Sequence, residues 1–477
     1  MSGLIDSIYM RSPVPAQQVF VAAYGLWWYR RRFNKHFEPL VRQFKARERW
    51  SAEQFREHQE KRMRMVLAAA RNSPYYREVL SEAGVGEKTS PWEALTRIPT
   101  LSTETLRERS HDLLAVDPLP KGILALKSSG TTGTPKKLYY THEYHAFQLA
   151  VREARNYNWA GLTHKNRRVM FGLRRVCSFD QQKPPFWRFS PVENMAYASV
   201  FHLSPRFMPD YLKFLGEYKP DMIMGFPSAI NTLAQFALET NDLPAPARAI
   251  FTTSEAVSRH ARQAIEAAWR CRIYDHYGAV EGCMFASQCE HGRYHVSPEL
   301  GIIEIVDEEG RPCPPGVLGE VVCTGLENTL QPLIRYRIGD VARWSVEQSC
   351  PCGREMPILE AIEGRYEDLC FTTDGRRVSW FDPVFEGVRN FRESQVVQEG
   401  LGSFTVYVVP NSGFGEHDAE RIKTNMRWHV GEAEVRVEAV DAIPRSKSGK
   451  FQAVICKLPQ GSGIKDQGSE LTLAGKP

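Results

Sequence analysis

Short apolar runs typical of β-strands alternate with helical runs between residues 168 and 274, and this alternation limits the fold more than any other feature of the chain. Strands joined through intervening helices run parallel in one sheet, because each helix carries the chain back across the sheet face. The pattern therefore predicts an α/β domain with a largely parallel sheet. The strand candidates are Arg168–Leu173, Asp221–Phe226, Ala249–Thr253 and Cys271–Tyr274, and the helix candidates are Tyr211–Tyr218, Ala229–Thr240 and Ser258–Arg270.

The character of the sequence changes on either side of this core. Residues 1–115 are polar and helical in pattern, and residues 116–367 are typical of an α/β core with a β-rich subdomain. Residues 368–459 are typical of a compact α+β lid, and residues 460–477 of a disordered tail. The expected fold is α/β, with a large N-terminal domain of mixed and parallel sheets that includes a small β-barrel-like part. A small, mobile α+β lid domain completes it at the C-terminus.

Composition argues against several kinds of partner. The 477 residues include 42% hydrophobic and 25% charged residues, and a net charge of +5 is too small to hold nucleic acid. The ten cysteines are mostly scattered, as in cytoplasmic proteins with reduced thiols. We expect no secretory signal and no transmembrane segment, because Val14–Tyr29 is interrupted by polar residues and too short to span a bilayer. With Arg30–Arg32 it could lie on a membrane surface, but a helix packed on its own domain is preferred.

The most specific local signal is a run of hydroxyl residues and glycines at residues 128–137 that ends in two lysines. Glycines let backbone N–H groups turn toward an anion, hydroxyls add donors, and lysines offset phosphate charge. Pro135 stands where a Walker A loop needs its second glycine, so this is a phosphate loop of another kind. A solvated linker is the alternative, which the Pro-Lys-Lys end disfavours. The expected nucleotide contacts are Ser128, Ser129, Gly130, Thr131, Thr132, Gly133 and Lys136.

This loop resembles the phosphate-binding motif of the adenylate-forming superfamily, which contains acyl-CoA synthetases, peptide-synthetase adenylation domains and luciferases. Thr253–Glu255 resembles the segment lining the family's adenine pocket, and Asp275–Glu281 resembles its Tyr-Gly-x-x-Glu motif. Tyr336–Asp340 resembles the ribose-binding motif, Gly364–Asp368 the hinge motif, and Pro444–Lys450 the C-terminal loop whose final lysine enters the site. Each segment alone has an ordinary structural explanation, but their order over more than 300 residues is far more specific.

The resemblance implies a role for each matching residue. It assigns ATP or AMP contacts to Ser254, Glu255, His276, Tyr277, Gly278, Asp340, Arg365 and Lys450, magnesium to Glu281 and Thr132, and the hinge to Asp368. Lys450, Glu281 and Arg365 would be catalytic, because attack of a carboxylate on the α-phosphate brings two anions together and positive charge must be supplied. Asp340 would fix the ribose and so position the phosphate.

Within the superfamily the chain is similar to the phenylacetate–CoA ligase branch and its capsule polysaccharide relatives, through Pro332–Arg337, Cys352–Arg354 and Asn72–Arg77. This implies that ATP and Mg²⁺ are used to convert a carboxylic acid into an acyl-adenylate, with release of pyrophosphate and acyl transfer to CoA. After the hinge, however, Leu369–Val378 has the pattern of an Asp-Gly hairpin instead of the branch's Gly-rich stretch. Transfer to an amine therefore stays open, as does a non-catalytic nucleotide-binding relative. The acid is not identified, and a homodimer is possible.

Cysteines and histidines form two groups about 55 residues apart. Cys289, His291 and His295 make up the first group, and a single proline separates Cys350 from Cys352 in the second. Two ligand pairs joined by a long loop suit a tetrahedral structural zinc site, although zinc knuckles more often have two residues between their cysteines. The preferred ligands are Cys289, His295, Cys350 and Cys352, with His291 as a substitute; reduced cysteines without a metal are the alternative.

Overall fold

The computed structural model describes residues 3–127, 136–172, 174–365, 369–373, 377–378, 381–388, 390–445 and 451–458. For residues 3–6, 127, 365 and 377 it describes the backbone alone. The described residues form two compact units, of which the first extends to Ile362 and the second begins at Glu363.

Helices make up the N-terminal part of the first unit. Several begin at a serine whose hydroxyl accepts the backbone N–H three residues later, which satisfies one of the free donors of the first turn. The apolar sides of α3 and α4 enter a large core through residues such as Phe44 and Met63. The helices are α1 (Gly3–Arg11), α2 (Val14–Arg32), α3 (Phe37–Ala46), α4 (Ala52–Ala70), α5 (Pro74–Glu82), α6 (Pro91–Arg97) and α7 (Thr103–Glu108).

Strands and helices then alternate as the sequence pattern predicts. The elements are β1 (Leu124–Lys127), β2 (Lys137–Tyr140), α8 (His142–Arg152), β3 (Arg168–Gly172), β4 (Trp187–Ser190), β5 (Met195–Ser199), α9 (Met208–Tyr218), β6 (Met222–Gly225), α10 (Pro227–Thr240), β7 (Ala249–Thr252), α11 (Arg259–Trp269) and β8 (Ile273–Gly278). A π-helical turn, Glu153–Tyr157, continues α8. Neighbouring strands β5, β3, β6, β7 and β8 run parallel, which confirms the predicted α/β class.

The β-rich part continues this sheet. Its strands are β9 (Phe285–Gln288), β10 (Tyr294–Val296), β11 (Gly301–Val306), β12 (Gly319–Gly325), β13 (Tyr336–Trp344) and β14 (Ile358–Arg365). They join the α/β strands in the hydrogen-bonded order β11-β12-β13-β14-β10-β9-β8-β7-β6-β3-β5-β4. The β-rich segment is thus connected to the parallel strands through the antiparallel pairing of β8 with β9.

Strand β8 changes partner within its own length. Its first residues pair in parallel with β7 as far as Asp275, whereas His276–Gly278 pair antiparallel with β9. The two neighbours therefore separate at the point where the chain carries its predicted adenine-side residues. Crevices outside the carboxyl ends of parallel strands are where α/β proteins bind their ligands.

The second unit is a small α+β structure. Helix α12 (Glu416–Val430) packs on a sheet of order β19-β18-β17-β20, with Ile422 and Met426 in the core. A separate antiparallel pair, β15 with β16, is the predicted hairpin after the junction. The strands are β15 (Cys370–Phe371), β16 (Arg377–Val378), β17 (Phe391–Gly400), β18 (Ser403–Pro410), β19 (Glu434–Ala439) and β20 (Val454–Cys456).

Candidate active site

The end of β8 and the middle of β13 bring two predicted nucleotide residues together. The Tyr277 hydroxyl donates a hydrogen bond to Oδ2 of Asp340. This bond ties an aromatic ring, which could pack on a base, to a carboxylate, which could accept hydrogen bonds from ribose hydroxyls. The pair lies beyond the point where β8 leaves β7.

Glu281, which follows β8, is buried in a network of charge and hydroxyl groups. Lys136 Nζ donates to Glu281 Oε1 and lies 2.9 Å from the Tyr336 hydroxyl, which itself donates to Glu281 Oε1 at 3.2 Å. Thr103 Oγ1 lies 3.0 Å from the same hydroxyl. Burial and the charge of Glu281 raise the pKa of Tyr336 well above its usual range, so the hydroxyl keeps its proton.

The turn after Glu281 is fixed by helix α8. Gly282 has φ +72°, and a Cβ there would lie 1.9 Å from Gln148 Nε2. The Tyr144 hydroxyl donates to the Gly282 carbonyl at 3.0 Å. Only a residue without a side chain fits this turn, and α8 thereby holds the backbone next to the Glu281 carboxylate.

The remaining predicted adenine-side residues lie at the ends of β7 and β8. Ser254 has φ +72°, a left-handed conformation that is uncommon outside glycine and clusters at functional sites. Glu255 accepts the backbone N–H of Ser228 at 3.1 Å near the start of α10. His276 is buried, and burial together with the charge of Arg152 lowers its pKa well below the usual range, so its imidazole is neutral. Gly278 ends β8.

Several predicted site residues lie outside the described part of the chain. These are Ser128, Ser129, Gly130, Thr131, Thr132 and Gly133 of the phosphate loop, the side chain of Arg365, the hinge residue Asp368, and Lys450. Strands β1 and β2, which flank residues 128–135, pair antiparallel.

The four residues predicted as preferred zinc ligands come together. Cys289 follows β9, His295 lies in β10, and Cys350 and Cys352 lie between β13 and β14, with their ligand atoms all within 4.8 Å of one another. Cys289 Sγ is 3.7 Å from Cys350 Sγ, and Cys352 Sγ is 3.3 Å from His295 Nε2. His291 contributes its backbone N–H, at 3.3 Å from Cys289 Sγ. Three thiols and one imidazole fit the tetrahedral preference of zinc.

Side chains around this cluster hold its members in place. His295 Nδ1 lies 3.3 Å from the Met356 carbonyl, which directs Nε2 toward the sulfurs. Arg49 donates to the Cys352 carbonyl at 2.7 Å. Arg354 stacks over Trp159 at 4.3 Å from the ring centroid. The cluster is thus supported in the way that metal ligands usually are.

Known proteins resemble the chain along most of its length. The sequence profile described as AMP-binding enzyme matches residues 123–330, and the profile described as CapK C-terminal domain matches residues 370–457. Protein CapK of Staphylococcus aureus is 22% identical over 458 residues, which cover 95% of this chain and 99% of that protein. The chain belongs to the adenylate-forming superfamily. Within it, the chain falls in the branch of phenylacetate–CoA ligase and CapK, as the motifs predicted.

Two further comparisons agree with this assignment. Phenylacetate-coenzyme A ligase of Thermus thermophilus is 27% identical over 327 residues, covering 66% of this chain and 72% of that enzyme. The crystal structure of 2-hydroxyisobutyryl-CoA ligase in the postadenylation state, in complex with R3-HIB-AMP, superposes with a TM-score of 0.67 at 21% identity, covering 86% of this chain and 91% of that one. The second comparison confirms the fold. The protein is therefore an adenylate-forming ligase.

The AMP-binding match includes Lys136, Tyr277 and Glu281 of this ligase. Sequence reasoning assigned Lys136 to phosphate but did not predict its pairing with Glu281, nor the Tyr336 hydroxyl between them. No spacing rule connects positions so far apart, although Tyr336 lies in the motif that supplies Asp340. No described helix of the ligase has the length and apolarity needed to cross a membrane.

Proposed function

We propose that this ligase uses ATP to activate a carboxylic acid as an acyl-adenylate and then transfers the acyl group to CoA. The convergence of Lys136, Glu281, Tyr277 and Asp340 beyond β8, in a chain matched by the AMP-binding enzyme profile, carries the proposal. CoA is the favoured acceptor because phenylacetate-coenzyme A ligases of several bacteria are relatives. A cytoplasmic location, a homodimer and a mobile lid over residues 368–459 stay predictions.

Asp340 and Tyr277 would position the nucleotide. A carboxylate that accepts hydrogen bonds from both ribose hydroxyls, with the tyrosine ring on the adenine, fixes the sugar and thereby the α-phosphate. The hydrogen bond between the two side chains makes them one preassembled element. Their contribution is orientation, because neither group reaches the bonds that form and break.

Glu281 suits a magnesium ion, since magnesium prefers hard carboxylate oxygens and Glu281 presents one near the predicted phosphate loop. Thr132, outside the described residues, is the other predicted ligand. Bound magnesium would neutralise the negative charge of the ATP phosphates and of the leaving pyrophosphate. Lys136 now neutralises Glu281 and would be released to contact phosphate when the cation takes its place.

The first step joins a carboxylate oxygen of the acid to the α-phosphorus and breaks the bond from that phosphorus to the oxygen bridging to the β-phosphate. Pyrophosphate leaves with the electron pair. Lys450 and Arg365, assigned by the family resemblance, would stabilise the negative charge on the α-phosphate as it develops. In the second step the CoA thiolate attacks the acyl carbon and AMP leaves.

An amine acceptor is a second candidate, favoured by the segment after the junction. Cys370 pairs with Val378 and Phe371 with Arg377 in a short hairpin. The CoA ligases of this branch usually have a Gly-rich stretch there. A hairpin presents less exposed backbone to a pantetheine arm, which leaves the acceptor to be determined by experiment.

The Cys/His cluster would hold a structural zinc ion. All four positions are taken by protein ligands, which leaves no open position for a substrate, and closed sites of this kind stabilise folds. The ion would join β9, β10 and the loop before β14. It would take no part in adenylation.

The central experiment measures ATP–pyrophosphate exchange across a panel of carboxylic acids. Lys450→Ala should abolish exchange and leave ATP binding within a few-fold, because this lysine would act on charge that develops only in the transition state. Lys457→Ala is the matched control, since that lysine pairs with Glu399 on the surface of the second unit. Exchange at the wild-type rate in Lys450→Ala would refute the assignment.

The acceptor is determined by mass spectrometry of complete reactions. We expect an acyl-CoA when CoA is present and only acyl-adenylate and AMP when it is absent. If amide products form with a panel of amines and no acyl-CoA forms with CoA, the amine replaces CoA as the proposed acceptor.

A further inference from the structure

A cavity of about 150 Å³ inside the first unit is lined by four arginines. Arg32 comes from the end of α2, Arg152 from the end of α8, Arg168 from the start of β3 and Arg174 from the segment after β3. We call this the arginine cavity. The π-helical turn that follows α8 borders it, and such turns occur frequently at functional sites.

The carboxylates in the arginine cavity do not balance these charges. Glu153 accepts the backbone N–H of His164 through both oxygens, at 3.1 and 3.0 Å. Glu193 accepts the Tyr197 hydroxyl at 2.8 Å, and its other oxygen lies 3.4 Å from Arg32 Nη1. Two carboxylates therefore face four guanidinium groups, and of these carboxylates only that of Glu193 contacts one of the four, that of Arg32. Arg168 Nη2 donates to the Glu193 backbone carbonyl, which carries no net charge.

Each of the four guanidinium groups has a buried nitrogen without a hydrogen-bond partner in the described part of the chain. These atoms are Nε of Arg32, Arg152 and Arg168, and Nη1 of Arg174. Arg152 makes no hydrogen bond or ion pair with any described residue, and Arg174 makes only ring contacts, with its guanidinium 3.9 Å from the Tyr197 centroid. Arginine cannot lose its charge in a protein, so such burial is costly unless an anion compensates.

Three of the four charges also act on one another. Burial lowers the pKa of Arg32, and the charges of Arg174 and Arg152 lower it further, against the opposing effects of Tyr197 and Glu193. Repulsion between arginines around a cavity is offset when an anionic group binds in that cavity. Arginine forks are suited to the two oxygens of a carboxylate or phosphate.

The arginine cavity lies on the same sheet face as His276, one of the predicted nucleotide contacts. Met170 of β3, which lines the cavity, pairs with Met224 of β6, and the same face continues across β7 to β8, where His276 lies. Arg152 is close enough for its charge to lower the pKa of His276. His276 is thus the predicted nucleotide residue that lies on the cavity side of the sheet.

We propose that the arginine cavity binds a second anionic group of the acid substrate, remote from the carboxylate that is activated. This rests on the proposed function, because it assigns the acid to a class: dicarboxylates or acids that carry a phosphate. The volume suits one anionic group with a short carbon segment. The arginines bind one end of the acid, and this directs the reacting carboxylate at the other end toward the nucleotide.

The test compares acids with matched carbon skeletons that differ in one charge, such as butanoate with butanedioate and phenylacetate with carboxyphenylacetate. We consider the pair of acids that the ligase accepts best. In ATP–pyrophosphate exchange, kcat/KM should be at least tenfold higher for the doubly charged acid of that pair than for the singly charged one. In Arg152→Gln and Arg174→Gln this ratio should fall by at least tenfold. Arg175→Gln is the matched control, because Arg175 is exposed and stacks on Phe179 at 5.1 Å outside the cavity. Exchange with singly charged acids and no preference for double charge would overturn the proposal.

Binding measured without ATP separates this proposal from the proposed function. Calorimetry with the same diacids should detect binding that Arg152→Gln loses and Arg175→Gln keeps. If no acid supports exchange but this binding pattern holds, the proposed function fails and the anion site stands. If inorganic phosphate binds to the wild type but not to Arg152→Gln, and does not compete with the acid, the cavity holds a separate anion and the substrate assignment is wrong.

Arg152→Gln should also raise the melting temperature of the unliganded protein, so loss of binding cannot be attributed to misfolding.

Discussion

The network around Glu281 and the Cys/His cluster are both buried convergences of polar groups, and they are built in opposite ways. Around Glu281, the Lys136 ammonium group and the Tyr336 hydroxyl both donate to Oε1 of one carboxylate, so protein groups alone satisfy that oxygen. In the cluster, four atoms with lone pairs converge within 4.8 Å, an arrangement that gains strongly from a cation at its centre. The difference indicates two kinds of site. The first can exchange its partners during a reaction, whereas the predicted zinc ion would stay in the second throughout.

The largest effect should follow removal of a ligand from the cluster. Cys350→Ser should lose bound zinc and lower the free energy of unfolding by about 4–5 kcal/mol, because metal loss is among the few changes of that size. Elemental analysis and urea unfolding measure the two effects. Cys313→Ser is the control, since that thiol is half-buried and lies outside the cluster. If wild-type protein purified without chelator contains no zinc, the Cys/His cluster is not a zinc site and its contrast with the Glu281 network fails.

A smaller effect, on rate, should follow loss of charge at Glu281. Glu281→Gln keeps the size of the side chain but cannot hold magnesium in the same way, and exchange should fall by about 100- to 1000-fold, or roughly 3–4 kcal/mol. Glu320→Gln is the control, because Glu320 is a buried carboxylate that pairs with Arg337 and is not a predicted magnesium ligand. Equal losses in the two variants would show that Glu281 acts through stability alone.

The smallest effect concerns a third buried carboxylate, Asp275, which accepts hydrogen bonds from the hydroxyls of Thr252 and Tyr294. Burial raises its pKa from 3.8 to about 6. The folded protein therefore binds this proton more tightly than the unfolded chain, and stability falls as pH rises between these values.

Asp275→Asn should remove this pH dependence. Relative to wild type, its free energy of unfolding should increase by up to about 3 kcal/mol between pH 4 and pH 7. Urea unfolding at pH 4, 5.5 and 7 measures the difference, in which titrations shared by both proteins cancel. A difference that does not change with pH would contradict the prediction.

Features that depend on local sequence patterns could be predicted, whereas pairings between residues distant in sequence could not. The α/β core followed from alternation over residues 168–274, and the Cys/His cluster from two short groups whose members are close in sequence. The chain offers no such pattern for β4 and β5, an antiparallel pair separated by a short segment that contains Pro191 and two polar residues. The pairing of Lys136 with Glu281 joins positions that become neighbours only when β2 and β8 are placed by the fold.

The arginine cavity shows this limit most clearly. Its four arginines are scattered from Arg32 to Arg174, among many other basic residues of ordinary surface type. Periodicity and motif spacing cannot distinguish an arginine that faces a cavity from one that faces water. Arg174 lines the cavity and its neighbour Arg175 is exposed, and this difference becomes apparent only when α2 and α8 are packed on the sheet.

The elements that supply the arginine cavity are separate from those that supply the nucleotide residues. The arginines belong to α2, α8, β3 and the segment after it, whereas Tyr277 and Asp340 belong to β8 and β13. A duplicated gene can therefore diverge toward a new acid by single substitutions on the helices while its ATP chemistry is inherited intact. The same separation gives protein engineers a short set of positions at which to redirect specificity without rebuilding the catalytic machinery.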